Sequence, residues 1–133
     1  HVFVIAVDSM ESRLQIVQHE MLSERYKMCL NPTTVKPSYI YDARMGSETF
    51  QFYKFPLPLV QKDYMKTWYS DEEGDSDACS ARATAYCSTL AGSLIASEIK
   101  KNENGNLGAE NIVFNFPSLL LDAEINYSSL IKK

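Results

Sequence analysis

Two side chains in this sequence have the residue type and the setting that reactive chemistry requires, Asp8 and Cys79. Asp8 follows the continuous apolar run from Val2 to Val7, which predicts a strand buried on both faces, as in parallel sheets. In open α/β sheets, ligands bind beyond the carboxyl ends of parallel strands, so an acid at this point can hold Mg²⁺ or a ribose. The alternative is that Asp8 caps the following helix, with Glu11 completing a capping box.

Arg13 follows Asp8 by little more than one helical turn and lies on nearly the same side of the predicted helix. At this position it can pair with Asp8 or with a carboxylate of a partner. Arginines are mostly exposed and surface ion pairs stabilise little, so residue type alone favours a solvated surface arginine.

Cys79 lies where an acidic segment meets a long predicted helix, for which Asp77 is a natural N-cap. The N–H groups and the dipole at a helix N-terminus lower the pKa of a thiol and favour a thiolate nucleophile. The five acids between Asp71 and Asp77 act in the opposite direction, and Arg82 partly offsets them. A small buried cysteine is therefore the alternative for Cys79, and Cys87 is expected in the core.

The elements that must position these residues follow from hydrophobic periodicity and from the proline and glycine positions. They predict an α/β fold with one domain over residues 1–133. In the acidic crossover loop predicted at 62–78, Trp68 and Tyr69 either form a contact surface or anchor the loop, and anchoring is the favoured interpretation. The predicted elements are a strand at 2–7, a helix at 9–28, strands at 39–43 and 49–55, the loop at 62–78, a helix at 79–101 and strands at 111–116 and 118–123.

Composition excludes several classes of function. A net charge of -4 and a pI near 5.1 argue against a protein that binds nucleic-acid phosphates. Three cysteines at spacings that fit neither CxxC nor a zinc ligand set favour a reducing compartment. No apolar run approaches the roughly 20 residues that cross a bilayer, and no signal-peptide pattern is present. The sequence therefore predicts a cytoplasmic protein with no membrane or nucleic-acid partner.

Three motifs resemble those of the ThiF/MoeB/HesA family of ubiquitin-activating-type adenylyltransferases. The strand ending in Asp8-Ser9-x-x-x-Arg13 is similar to that family's apolar strand ending in Asp-Asn-x-x-x-Arg. The segment YIYDARMGSETFQFY resembles its strand, glycine turn and antiparallel strand. The helix with Cys79 at its start and Ser93-Leu94-Ile95-Ala96-Ser97-Glu98 near its end resembles a cysteine-headed helix ending in Ser-Leu-Gln-Ala-x-Glu. The segments DARMG and CSARA look closest to the divergent bacterial branch, and the resemblance covers about 2–122.

The resemblance implies a Rossmann-like mixed sheet that forms the C-terminal half of an adenylation domain. It also implies ATP and Mg²⁺ as cofactors, and activation of the C-terminal carboxylate of a ubiquitin-like or sulfur-carrier protein as an acyl-adenylate. By position, Asp8, Ser9 and Arg13 correspond to nucleotide-binding residues, and Asp8 corresponds to the acid that helps hold Mg²⁺. Cys79 corresponds to the cysteine that in some members receives the acyl group or takes part in sulfur transfer.

The sequence departs from the family pattern in three ways. Ser9 stands where asparagine is usual, and the paired CxxC motifs of zinc-bearing members are absent, so no structural zinc is expected. The glycine-rich nucleotide loop and the basic residues that act on the ATP phosphates are also missing. We therefore expect the second half of a longer enzyme, inactive without its nucleotide-binding half or a homodimer partner. The alternative is a non-catalytic interaction module that docks proteins through the acidic loop and Trp68.

Overall fold

The computed structural model describes residues 2–7, 9–22, 39–46, 48–57, 59, 61–70 and 84–126. Three helices lie within these ranges: α1 (Met10–Leu22), α2 (Gln61–Met65) and α3 (Ala85–Glu103). The strands in the same ranges are β1 (Val2–Ile5), β2 (Tyr39–Met45), β3 (Thr49–Pro56), β4 (Asn111–Asn115) and β5 (Leu120–Glu124).

The described strands form one sheet in chain order, β1-β2-β3-β4-β5. The β1–β2 pair is parallel, whereas each later pair is antiparallel, so the fold is mixed α/β as predicted. Tight turns join β2 to β3 and β4 to β5: Gly46 N–H donates to the Thr49 carbonyl (2.8 Å), and Leu119 N–H donates to that of Phe116 (3.2 Å). The sequence placed these turns correctly, because glycine, proline and asparagine mark turns directly.

One face of the sheet packs against α3. The register places Ala43 opposite Phe52 and Phe52 opposite Ile112, so these side chains share one face. Helix α3 presents Cys87 and Ala91, both buried, to this face, and the small alanine lets the helix approach the sheet closely. The prediction that Cys87 belongs to the core is confirmed.

The other face is covered by α1 and α2. Its core contains Ile5 of β1, Val17 of α1, Ile40 of β2, Phe55 of β3 and Tyr64 of α2. The Phe55 and Tyr64 rings meet edge to face with centroids 5.3 Å apart. The core on this face therefore packs α1, the helix that follows β1, against the parallel strands β1 and β2.

Several predicted boundaries were wrong. Residues 61–65 are helical, although 62–65 lie within the predicted loop, because burial of Tyr64 stabilises a turn too short to show a sequence period. Helix α3 begins at Ala85 after an extended Thr84, so Asp77 is not its N-cap. The acidic residues 71–77 and the end of the first predicted helix, 23–28, lie outside the described residues.

None of the described helices combines the length and apolar character that a membrane span requires.

Glu98 ties the end of α3 to the start of β4. Its buried carboxylate accepts hydrogen bonds from Ala109 N–H (2.7 Å) and Lys101 Nζ (2.5 Å). A Cβ atom at Gly108 would lie 2.5 Å from Glu98 Oε2. Gly108 is therefore required by close approach, because any side chain there displaces a buried acceptor.

This contact predicts opposite effects for two glycine-to-alanine variants. Gly108→Ala should lower the free energy of unfolding by about 2 kcal/mol, because displaced Glu98 leaves the buried Ala109 N–H unpaired. Gly92→Ala, in the interior of α3 with no atom within 4 Å of the added Cβ, should raise it by about 1 kcal/mol through helix propensity. Urea denaturation measures both, and equal stability of the Gly108 variant and the wild type would contradict the argument.

Candidate functional site

Asp42 lies at the centre of the most polar part of the core. It is on β2, where it forms the last pair of the parallel ladder with Ile5 of β1. Its side chain is fully buried and shares the α1 face of the sheet with Ile40. An ionised carboxylate in this position must be compensated by charged or hydrogen-bonding partners.

Arg13 provides the first partner. Its Nη1 donates to Asp42 Oδ1 at 2.5 Å, and its Nη2 donates to the carbonyl of Val7, just beyond β1. Arg13 is only 4% exposed, so the interpretation as a solvated surface arginine was wrong. The signal for its burial was present in the sequence, because Met10, Arg13 and Val17 follow the i, i+3, i+7 spacing of one buried helix face.

Arg44, two residues along β2, provides the second partner. Its Nε and Nη2 both donate to Asp42 Oδ2, at 3.0 and 2.8 Å. The remaining donor, Nη1, reaches the Thr67 carbonyl at 2.5 Å, and Nη2 also reaches Thr67 Oγ1 at 3.1 Å. The guanidinium carbon stacks 4.5 Å from the centroid of the Tyr53 ring. Arg44 therefore joins β2 and β3 to the turn that follows α2.

Two aromatic residues close this cluster. Tyr64 Oη donates to Asp42 Oδ2 at 3.3 Å, and burial, followed by the negative charge of Asp42, raises the pKa of the Tyr64 phenol. Trp68 Nε1 donates to the Met10 carbonyl at 3.1 Å, at the start of α1. The prediction that Trp68 anchors its segment is confirmed. We refer to Arg13, Asp42, Arg44 and Tyr64 together as the Asp42 cluster.

The electrostatics of the Asp42 cluster are unusual, because two buried guanidinium groups share one carboxylate. These three groups together carry a net charge of +1. Burying charged groups costs several kcal/mol for each ion, and here hydrogen bonds to both carboxylate oxygens and to backbone carbonyls offset that cost. The net positive charge favours an anionic group close by.

This arrangement also limits the chemistry of Asp42. Both of its oxygens already accept hydrogen bonds from guanidinium groups, so Asp42 is neither a free general base nor an available metal ligand. The part of the chain that the structure describes contains no group of three or more histidine, cysteine or acidic residues suited to a metal. The cluster is better suited to holding the backbone at the carboxyl end of β1 in place.

The structure places the residues predicted for the site as follows. Ser9 is the N-cap of α1, since its Oγ accepts a hydrogen bond from Ser12 N–H at 3.0 Å. The capping box predicted for Asp8 and Glu11 involves a residue that lies outside the described ones, so it stays a prediction. Asp8 and Cys79 themselves lie outside the described residues. Because α3 begins at Ala85, its N-terminus does not supply the dipole that was expected to act on Cys79.

Asp42, Arg44 and Tyr64 were missed as site residues. The alternating pattern Ile40-Asp42-Arg44 on one face of a strand with apolar neighbours was the available signal, since a charged pair in that setting must be compensated internally. Its partner Arg13 lies 29 positions away in the sequence, so the pairing itself required the fold.

Comparison of the chain with family models, with curated proteins and with solved structures finds no match.

We expect that removing the negative charge of Asp42 lowers the stability of the fold substantially. Asp42→Asn keeps the side-chain shape but removes the negative charge that two buried guanidinium groups share, so the free energy of unfolding should fall by about 3–5 kcal/mol. The matched control is Asp63→Asn on α2, where both members of the Asp63–Lys66 pair are exposed, and it should change stability by less than about 1 kcal/mol. Similar losses in the two variants, measured by urea denaturation, would show that the Asp42 ion pairs contribute no more than a surface pair.

The raised pKa of Tyr64 predicts sensitivity to alkaline pH. The folded chain retains the phenol proton at pH values where the unfolded chain has released it, so stability should fall as the pH rises above about 10. Tyr64→Phe should cost about 1 kcal/mol at neutral pH, through loss of the bond to Asp42, and should show a shallower fall in alkali. Urea midpoints measured between neutral and alkaline pH provide the test, and parallel pH profiles for the two proteins would disprove it.

Proposed function

We propose that this chain is the carrier-binding and Mg²⁺-proximal half of an ATP-dependent adenylyltransferase of the ThiF/MoeB/HesA type. Its substrate is the C-terminal carboxylate of a ubiquitin-like or sulfur-carrier protein, activated as an acyl-adenylate. The observation that carries the proposal is the position of the Asp42 cluster at the carboxyl end of the parallel β1–β2 pair. Nucleotides bind α/β sheets at this end.

The geometry around the end of β1 supports a nucleotide crevice. The Val7 carbonyl is held by Arg13, and Ser9 is held as the N-cap of α1. The residues on either side of Asp8 in the sequence, Val7 and Ser9, are thus each held by a hydrogen bond to a residue of α1. A residue between such neighbours is suited to a ligand role, because its backbone needs little ordering when the ligand binds.

The charge of the cluster agrees with an anionic ligand. Arg13, Asp42 and Arg44 together carry a net charge of +1, which favours phosphate groups at this end of the sheet. Both oxygens of Asp42 already accept hydrogen bonds from arginines, so Asp42 is not available to a metal. In our proposal Asp8 holds the Mg²⁺, with nucleotide phosphates and water as the other ligands. When bound, Mg²⁺ neutralises charge that develops on the phosphates. Ser9 and Arg13 position this loop in our proposal.

The proposal also makes the chain one half of a catalytic unit. Within the described residues β1 pairs only with β2, so its outer edge is open to further strands. Its Val2 and Val4 side chains, which point away from the α1 face, are exposed. The sequence has no glycine-rich phosphate loop, and without such contacts the charge on the transferred phosphoryl group is not stabilised. A nucleotide-binding half or a homodimer partner would supply them.

The direct test is ATP–pyrophosphate exchange with candidate carrier proteins. The 133-residue chain alone should give no exchange above background, and a nucleotide-binding half that carries a glycine-rich loop should restore it. In the restored enzyme, Asp8→Asn should abolish exchange, whereas Asp63→Asn, on the exposed surface of α2, should not change it. Exchange by the chain alone, or full exchange by the Asp8 variant, would refute the proposal.

Cys79 is the proposed acceptor of the activated acyl group or sulfur. In the complete enzyme, Cys79→Ala should abolish the carrier thioester or the sulfur transfer while adenylate formation continues. Cys29→Ala, at a cysteine with no assigned role, is the matched control. Unchanged transfer by the Cys79 variant would remove Cys79 from the mechanism and leave the adenylation proposal standing.

The alternative, a module that docks proteins through the acidic loop and Trp68, loses part of its basis. The Trp68 indole is packed against the α1 face of the sheet and its N–H is bonded to Met10, so it is an anchor and not a free contact residue.

A further inference from the structure

An apolar groove lies on the α3 face of the sheet, at the end opposite to the Asp42 cluster. It has a volume of about 730 Å³ and is open to solvent along one side. Helix α3 provides one wall, and β4, the turn after it and β5 provide the other. The principal lining side chains are Tyr86, Leu90, Leu94, Phe114, Phe116 and Leu121.

The groove is bordered by an open strand edge. Within the described residues β5 pairs only with β4, so the backbone N–H and C=O groups on its outer side are available to another strand. The start of β5 and the residue before it are also unusually apolar for a surface, with Leu119, Leu120 and Leu121 exposed by 76, 61 and 57%. Contiguous apolar surface of this kind marks interaction sites.

The two faces of β5 differ in chemistry. Leu121 and Ala123 lie on the groove side, because they pair with Phe114 and Ile112 of the α3 face. Asp122 and Glu124 alternate with them and lie on the opposite side. Both acids are exposed, and Glu124 Oε2 accepts a hydrogen bond from Asn111 Nδ2 at 2.8 Å. An incoming strand therefore meets an apolar surface on one side, and on the other it meets two carboxylates together with the exposed Leu120.

We propose that β5 binds an extended segment of a partner protein in which apolar and basic residues alternate. The segment joins the sheet as an additional strand next to β5, so backbone hydrogen bonds provide affinity and alternate side chains provide specificity. Its apolar side chains enter the groove beside Leu121, and its lysine or arginine side chains face Asp122 and Glu124. This site is separate from the Asp42 cluster and does not depend on the adenylation proposal.

Charge selects this occupant over a second copy of the chain. Antiparallel pairing of two β5 strands would bring the Asp122 and Glu124 carboxylates of both copies onto one face of the joined sheet. Like charges close together across neighbouring strands are destabilising. A basic segment would instead place positive charges opposite these carboxylates, so the interaction across the strands becomes attractive and the repulsion between Asp122 and Glu124 is reduced.

The probe for the test is a fluorescein-labelled peptide of alternating lysine and valine. Fluorescence anisotropy with the full chain should show saturable binding that weakens with added salt. Hydrogen exchange should slow at residues 120–124 when the peptide binds, because their outer amides become paired. Two peptides serve as controls: alternating glutamate and valine, and the lysine peptide with a central proline, which cannot pair along its length. Neither should bind.

A set of variants distinguishes loss of peptide binding caused by charge from loss caused by unfolding. The double variant Asp122→Asn with Glu124→Gln should weaken binding about fivefold, because two exposed ion pairs are lost. Asp63→Asn, on α2, should bind like the wild type. Leu121→Ala should also weaken binding, and circular dichroism should show each variant folded.

Three results would overturn the proposal. Equal binding of the glutamate peptide would show that the two acids do not select the partner. Protection by the lysine peptide outside 120–124 would place the site elsewhere. Dimerisation of the chain that the Leu121 variant abolishes, seen by sedimentation without peptide, would identify a second copy as the occupant.

Discussion

The carboxylate of Asp42 is the constraint on which this end of the protein depends. One buried side chain accepts hydrogen bonds from a helix residue, Arg13, and a strand residue, Arg44. Through Arg13 it fixes the chain after β1, and through Arg44 it fixes Thr67 beyond α2. Three segments distant in sequence thus meet at one point. An apolar core residue of similar volume would not define their relative orientation in this way, because dispersion contacts are not directional.

Elements that are specified by neighbouring residues in the sequence could be predicted, whereas elements stabilised by contacts between distant residues could not. The antiparallel strands and their turns were predicted because period-2 alternation and the residues around Gly46 and Pro117 are local signals. Helix α2 was missed because five residues are too few to show a period, and its stability comes from burial of Tyr64 against Phe55. The start of α3 was predicted too early, since alanine-rich sequence favours helix without specifying where it begins.

The candidate site was predictable only in part. The apolar strand followed by an acid and a helix predicted a parallel strand leading into a helix, and β1 and α1 have this arrangement. The partner of Arg13 was not predictable, because Asp42 reaches it only through the parallel pairing of β1 with β2. Residue type also misled, since arginine is normally exposed and only the spacing from Met10 to Val17 indicated a buried position.

The two ends of the sheet differ in the forces that shape them, and this difference matches the proposed division of roles. At the parallel end, charged hydrogen bonds hold side chains in one geometry, as a site for positioning reactants requires. At the β5 end, exposed leucines border an open groove, and no comparable polar network fixes the surface among the described residues. Leu119 itself adopts a left-handed backbone conformation (φ 54°) that costs about 1–2 kcal/mol for a residue with a side chain. A glycine at this position would adopt the same backbone conformation without that strain.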